Sequence, residues 1–235
     1  MNSAPTPEGP GSVSGAPHLP GGFTTTFTSR YIDTGGLRQH VVTGGEGPPL
    51  LLVHGWPQTW YAWRLVMPGL ARDFSVVVPD QRGTGLSGKP DDGYDTATLA
   101  GDLAALMDAL GHERFAVAGH DTGMWIGYAL AADHPGRVAR LAVAEAAMPG
   151  VSASPPLFGS TQANDRLWHF AFNRLAGVND QLAAGDVQTL VIPGCAHWVP
   201  EEAPEETLAA LTAFLAPYRN EQTAAHNPGP QSSPV

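Results

Sequence analysis

A single cysteine, Cys195, among 235 residues excludes any internal disulfide framework, and the nine histidines lack the paired Cys/His spacings of a structural zinc site. Basic residues are also scarce: 12 Lys and Arg against 22 Asp and Glu give a formal net charge of -10. A phosphate backbone or an anionic membrane surface repels such a chain on average, and no basic run interrupts the acidity. No nucleic-acid partner, no membrane partner and no metal is therefore expected. Missing too is any run near the ~20 apolar residues of a membrane span, or an apolar core for a signal peptide in the opening residues. The expectation is a soluble, cytoplasmic protein that needs no cofactor. Nothing in the sequence fixes an oligomeric state.

What the chain does contain is 43% hydrophobic residues, which over this length supports one domain with a sizeable core. Residues 1–22 are rich in Pro, Gly and Ser, and residues 219–235 are polar with prolines; both are expected to be disordered tails. Between them, 27–32 and 37–42 are β-prone runs separated by Thr34-Gly35-Gly36, which is hairpin chemistry. The runs 49–53 (PLLLV) and 75–79 (SVVVP) have the continuous apolar character of strands buried on both faces. A helix is predicted over 60–72, and a second over 96–110 with Thr96 as N-cap and Gly111 just past its end. Then come a strand at 115–118, a helix at 123–132, strands at 138–144 and 187–192, and a helix at 204–215. Strands alternating with helices define an α/β class with a doubly wound, mostly parallel sheet, built from 23–149 and 187–218.

Within that order, Gly119-His120-Asp121-Thr122-Gly123 sits between a strand and an apolar helix. This is the small-x-nucleophile-x-small pattern of a nucleophile elbow, with aspartate in the central position. Glycines on either side permit the sharp turn that lifts the central side chain above the carboxyl ends of the strands, where ligands bind in open α/β sheets. An aspartate before a helix is, taken alone, more often an N-cap. Three other segments outweigh that reading. His54-Gly55-Trp56-Pro57 follows a buried strand, where its backbone N–H groups can face a developing oxyanion, which makes Trp56 and Thr122 the natural donors. Asp80 to Ser87 (DQRGTGLS) follows the next strand, and His197 follows the last strand, after Asp121 in chain order, where a general base is needed.

Taken together, HGWPQ (54–58), DQRGTGLS (80–87), GHDTG (119–123) and PGCAHWVPEEAP (193–204) resemble the epoxide hydrolases of the α/β-hydrolase superfamily, over about 27–218. The resemblance implies an α/β-hydrolase fold and a small lipophilic substrate. Asp121 would attack an epoxide carbon to form an ester, and His197 would activate the water that cleaves it, giving a diol. Trp56 and Thr122 would supply the oxyanion hole, with His54 and Trp125 completing the binding set. Haloalkane dehalogenases are the nearest rival, but they usually carry Asn after the His-Gly pair and Trp after the nucleophile, positions held here by Trp56 and Thr122. Fluoroacetate dehalogenases usually carry Arg where Thr122 stands.

One interval departs from the family pattern. Related enzymes place a helical cap, a strand and an acid-bearing loop there, yet 150–186 is only 37 residues long and is read as a truncated cap or crossover. It contains no tyrosine, so the family's proton donors to the opening ring are absent from it. Losing a positioned acid costs ~10²–10⁴ in rate, and slow epoxide turnover is expected. A helix is predicted at 162–176, whose Trp168, Phe170 and Phe172 are read as packing. The acid that orients His197 must come from elsewhere, with Glu145 the first candidate and Asp180 and Asp186 behind it. If the last strand fills the missing strand's slot it moves by ~4.8 Å, against the ~0.5 Å that catalytic placement tolerates. A non-catalytic α/β-hydrolase remnant and a haloalkane dehalogenase are thus the alternatives to an impaired epoxide hydrolase.

Overall fold

The computed structural model describes residues 6–145, 192, 195 and 197–226. The chain divides into two compact units, one formed by Met1–Glu145 with Ile192–Val235, the other by Ala146–Val191. The second lies outside the described residues. With it lie the predicted helix at 162–176, residues 187–191 of the predicted last strand, Asp180 and Asp186.

A short helix α1 (Phe23–Thr26) leads into β1 (Phe27–Asp33), which turns through Gly35 into β2 (Arg38–Gly44). There follow β3 (Pro49–Val53), a 3₁₀ turn (Trp60–Trp63), α2 (Met67–Leu70), β4 (Ser75–Pro79), α3 (Thr96–Ala109), β5 (Phe115–His120), α4 (Thr122–Asp133) and β6 (Val138–Ala144). Two helices close the unit, α5 (Val199–Glu202) and α6 (Pro204–His226). The six described strands are ordered β1-β2-β4-β3-β5-β6. The first two pairings are antiparallel and the rest parallel. Among the described residues no helix is long and apolar enough to cross a membrane.

The period of two along a strand explains why the central strands are apolar throughout. Leu50 and Leu52 of β3 join one core with Phe23, Phe27, Trp60, Met67, Phe74, Leu215 and Tyr218. Leu51 and Val53 join the other with Val77, Leu103, Leu106, Phe115, Val117 and Leu130. Both faces are covered by helices, so each strand residue has an apolar partner.

Four sequence expectations change. The helix expected over 60–72 is broken into the 3₁₀ turn and α2, because Pro68 has no N–H to give to the preceding turn; the Trp60 N–H, at the start of the 3₁₀ turn, is taken by Asp80 Oδ1 at 2.9 Å. The cap of α3 is Asp95, whose side chain accepts the Thr98 N–H at 2.9 Å; Thr96 is already helical. Residues 6–22 do not behave as a tail. Val13 is buried and donates its N–H to Ser29 Oγ at 2.9 Å, while Trp60 Nε1–H donates to the Gly11 carbonyl and the Tyr61 hydroxyl to the Pro17 carbonyl. Those long-range bonds order a segment whose composition alone favours disorder. Finally, α6 runs on to His226, past Leu215 and through Pro217, into the stretch read as the second tail.

Candidate active site

The elbow forms where β5 ends and α4 begins. Asp121 has φ 56° and ψ -123°, a backbone conformation that L residues rarely adopt. Its flanking residues are glycine for steric reasons. A Cβ at Gly119 would run into the Gly123 carbonyl, and one at Gly123 into the carbonyl of Val53. Although Asp121 precedes α4, its side chain makes no capping bond to the helix. The carboxylate projects away from it instead.

A second loop receives that carboxylate. After β3, Gly55 approaches so closely that an added Cβ would lie 2.6 Å from Asp121 Cβ. The next N–H, of Trp56, donates to Asp121 Oδ1 at 2.9 Å. This loop is braced from behind by His54, which is fully buried and has both ring nitrogens engaged. Nδ1–H donates to the Gly55 carbonyl at 2.7 Å, and Nε2 accepts the Gln81 N–H at 3.2 Å. Burial holds the His54 pKa below the usual histidine value despite the Gly55 bond and the nearby Asp80 and Asp121. A neutral imidazole with Nδ1–H is the state these partners require. His54 is thus buried behind the loop, with both ring nitrogens taken up inside the protein.

The Asp80 to Ser87 segment supplies that bracing. Asp80 is buried and accepts the Trp60 N–H on Oδ1, and the Leu86 N–H and His40 Nδ1–H on Oδ2. Burial disfavours its charge, but the bond and charge of His40 and the two backbone donors outweigh this and lower its pKa. Gln81 also donates its side-chain amide to the His54 carbonyl. The motif is visible in the sequence; its service as a hub for two loops is not, because the partners lie tens of residues away.

The third loop brings His197. Its Nε2 lies 3.3 Å from Asp121 Oδ2, with 39% and 23% of the two side chains exposed. The ring stands edge-on to Trp198 with centroids 4.7 Å apart. Behind it sits His120, 1% exposed, whose Nε2–H donates to the His197 carbonyl at 2.5 Å and whose ring centroid is 4.9 Å from that of His197. Burial lowers the His120 pKa, outweighing the carbonyl bond that opposes it.

Asp121, His197 and the Trp56 N–H are therefore brought together. Trp56 itself is 69% exposed, so its side chain opens toward solvent while its backbone serves the carboxylate. Thr122 opens α4, the Met124 N–H donates to the Asp121 carbonyl at 3.0 Å, and Trp125 is half-buried one turn on. Glu145 ends the β6 edge of the site with φ 59°, and its charge reaches His120; it is exposed, and no hydrogen bond joins it to His197 among the described residues. His120 was missed by the sequence reading. It occupies a free position of the elbow motif, and only the meeting of β5 with the third loop reveals its use.

Residues 48–189 match the family model of the alpha/beta hydrolase fold. The soluble epoxide hydrolase of Corynebacterium sp. (strain C12) is 44% identical over 119 residues, covering 51% of this chain and 42% of that protein. The fluoroacetate dehalogenase of Burkholderia sp. is 44% identical over 122 residues, covering 50% of this chain and 40% of that protein. The solved structure of the epoxide hydrolase CorEH aligns with a TM-score of 0.65 at 26% identity, over 82% of this chain and 99% of that one. The chain spans about two fifths of the length of the two curated relatives.

Proposed function

From the premise that this chain belongs to the α/β-hydrolase fold family, we propose that it is a hydrolase that opens small lipophilic epoxides to diols. The observation that carries this is the split environment of one carboxylate: Asp121 Oδ1 accepts the Trp56 N–H, and Oδ2 faces His197 Nε2. Oδ2 is the attacking atom. It bonds to an epoxide carbon, the ring C–O bond breaks, and the ring oxygen takes a proton from water. The product is a hydroxyalkyl ester of Asp121. His197 Nε2 then accepts a proton from a water whose oxygen adds to Cγ of that ester. The negative charge builds on Oδ1, where the Trp56 N–H already points. Cleavage of the Cγ–Oδ2 bond releases the diol, which takes the proton back from His197; water's oxygen stays in the Asp121 carboxyl group, whose proton neutralises the hydroxide left by the first step and restores the carboxylate.

Carboxylate suits both steps, since it is ionised at neutral pH and its ester presents a carbonyl to water. Thr122 N–H is assigned as the second oxyanion donor, formed as charge develops. Glu145 is kept as the candidate acid acting on His197 through its charge, and Glu145→Gln would then slow ester cleavage while leaving ester formation intact.

Intact-mass measurement after incubation with styrene oxide tests the proposal. A gain of one substrate mass, absent in Asp121→Asn, supports it; no gain in folded protein points to a non-catalytic member of the family. Similarity to the fluoroacetate dehalogenase favours one second reading, in which Oδ2 displaces halide from carbon. Halide release from a haloalkane or haloacid, without diol formation from epoxides, would select it.

A further inference from the structure

We propose that His120 is a positioning residue that fixes the His197 loop to the nucleophile elbow. The inference rests on the reading of Asp121 and His197 given above. His120 is the last residue of β5, directly before Asp121, so its backbone is set by the same strand that sets the nucleophile. β5 pairs in parallel with both β3 and β6, and His120 itself is in register with Ala144. From that fixed base its Nε2–H reaches across to the His197 carbonyl.

That carbonyl also accepts the Val199 N–H at 3.0 Å, so it is held by two donors, one local and one from the sheet. The local bond sets the turn into α5. Among the described residues, the bond from His120 is what ties the backbone of that turn to the strand that carries Asp121. With the carbonyl pinned, the Cα of His197 and the origin of its side chain are pinned as well, and Nε2 is left facing Oδ2.

The chemistry requires His120 to stay neutral. During ester cleavage His197 carries a proton, and a second imidazolium with centroids 4.9 Å away would oppose that charge. Burial of the His120 ring works in the needed direction. A neutral ring donating from Nε2 has Nδ1 unprotonated, which fixes the tautomer.

A merely space-filling histidine would affect both steps alike. A positioning residue for the base should affect only the second, since Asp121 is held by its own glycines and by Trp56. His120→Leu keeps the bulk and removes the donor, whereas His120→Gln keeps an N–H donor near the Nε2 position. In an intact-mass time course with styrene oxide, His120→Leu is expected to form the adduct at close to the wild-type rate. It should clear the adduct about 10- to 100-fold more slowly, with His120→Gln restoring most of the loss. Clearance at the wild-type rate in His120→Leu, or an equal fall in both steps, overturns the proposal.

A second readout needs no turnover. If wild-type protein forms no adduct, the epoxide reading fails, and ¹⁵N shifts of the His197 ring at fixed pH still decide the role of His120. They are expected to move in His120→Leu and return in His120→Gln. Unchanged shifts in a folded His120→Leu protein would show that His197 is placed without it.

Discussion

The nucleophile and its histidine are held in unlike ways. Asp121 stands on the end of a buried strand, in a strained conformation that its surroundings leave no freedom to relax. Gly119 and Gly123 admit no side chain, Gly55 leaves no room for one against the carboxylate, and the Asp121 N–H donates to the Ala144 carbonyl at 3.1 Å. His197, in contrast, sits on a loop whose backbone is held, among the described residues, by the bonds of its carbonyl to His120 and Val199 and of the neighbouring Trp198 N–H to Glu202 Oε1. Errors on the first side therefore strike the fold and both chemical steps together. Errors on the second leave a folded protein that starts the reaction and does not finish it.

Replacing the base separates the two sides most strongly. His197→Gln should still form the ester, because Oδ2 and the Trp56 N–H are untouched, but hydrolysis should fall by ~10²–10⁴. The measurement is diol production alongside adduct mass, and the expected pattern is a stable adduct with little diol. Adduct loss equal to diol loss would mean that His197 also holds the nucleophile, and the contrast between the two sides would collapse.

Striking the elbow itself should show the opposite pattern. Gly123→Ala places a methyl group against the Val53 carbonyl, which is backbone of the central strand and cannot swing aside. Forcing such a contact costs about 1–3 kcal/mol, read as a lower urea midpoint, and adduct formation should fall with it. Full adduct formation with unchanged stability would show that the elbow has slack.

This unevenness also explains what the sequence could reveal. β3 and β4 are legible because runs such as PLLLV leave no polar face, and the elbow is legible because its glycines are required by local sterics. The 60–72 segment misleads for a good reason. Trp60, Trp63, Met67 and Leu70 are all buried and helically spaced, yet Pro68 divides the helix. Residues 6–22 read as disordered because composition cannot show that Ser29, Trp60 and Tyr61 offer them hydrogen-bond partners. His120 stays hidden for the same reason, since its use depends on a carbonyl 77 positions later. Local chemistry is written in the sequence; pairings across the sheet are not.

Acid offers the gentlest probe of the same comparison, because each side carries a buried histidine whose charging is disfavoured. His54 braces the carboxylate loop and His120 the His197 loop, and burial lowers the pKa of both below the unfolded value of about 6.5. Below that pH the unfolded chain binds protons that the folded chain refuses, so stability is complete above it and declines as pH falls. Each histidine contributes a slope of at most about 1.4 kcal/mol per pH unit in that window. Asp80, also lowered, adds its loss only at the lower pH of carboxylate titration. Urea unfolding between pH 7 and 5 should show the decline, and both His54→Gln and His120→Gln should flatten it. A slope that His54→Gln removes entirely would place all of the acid sensitivity on the nucleophile side. The ring of His120 would then be able to charge in the folded protein; its Nε2–H would still donate to the His197 carbonyl, but the added charge would oppose the proton that His197 must take up during ester cleavage.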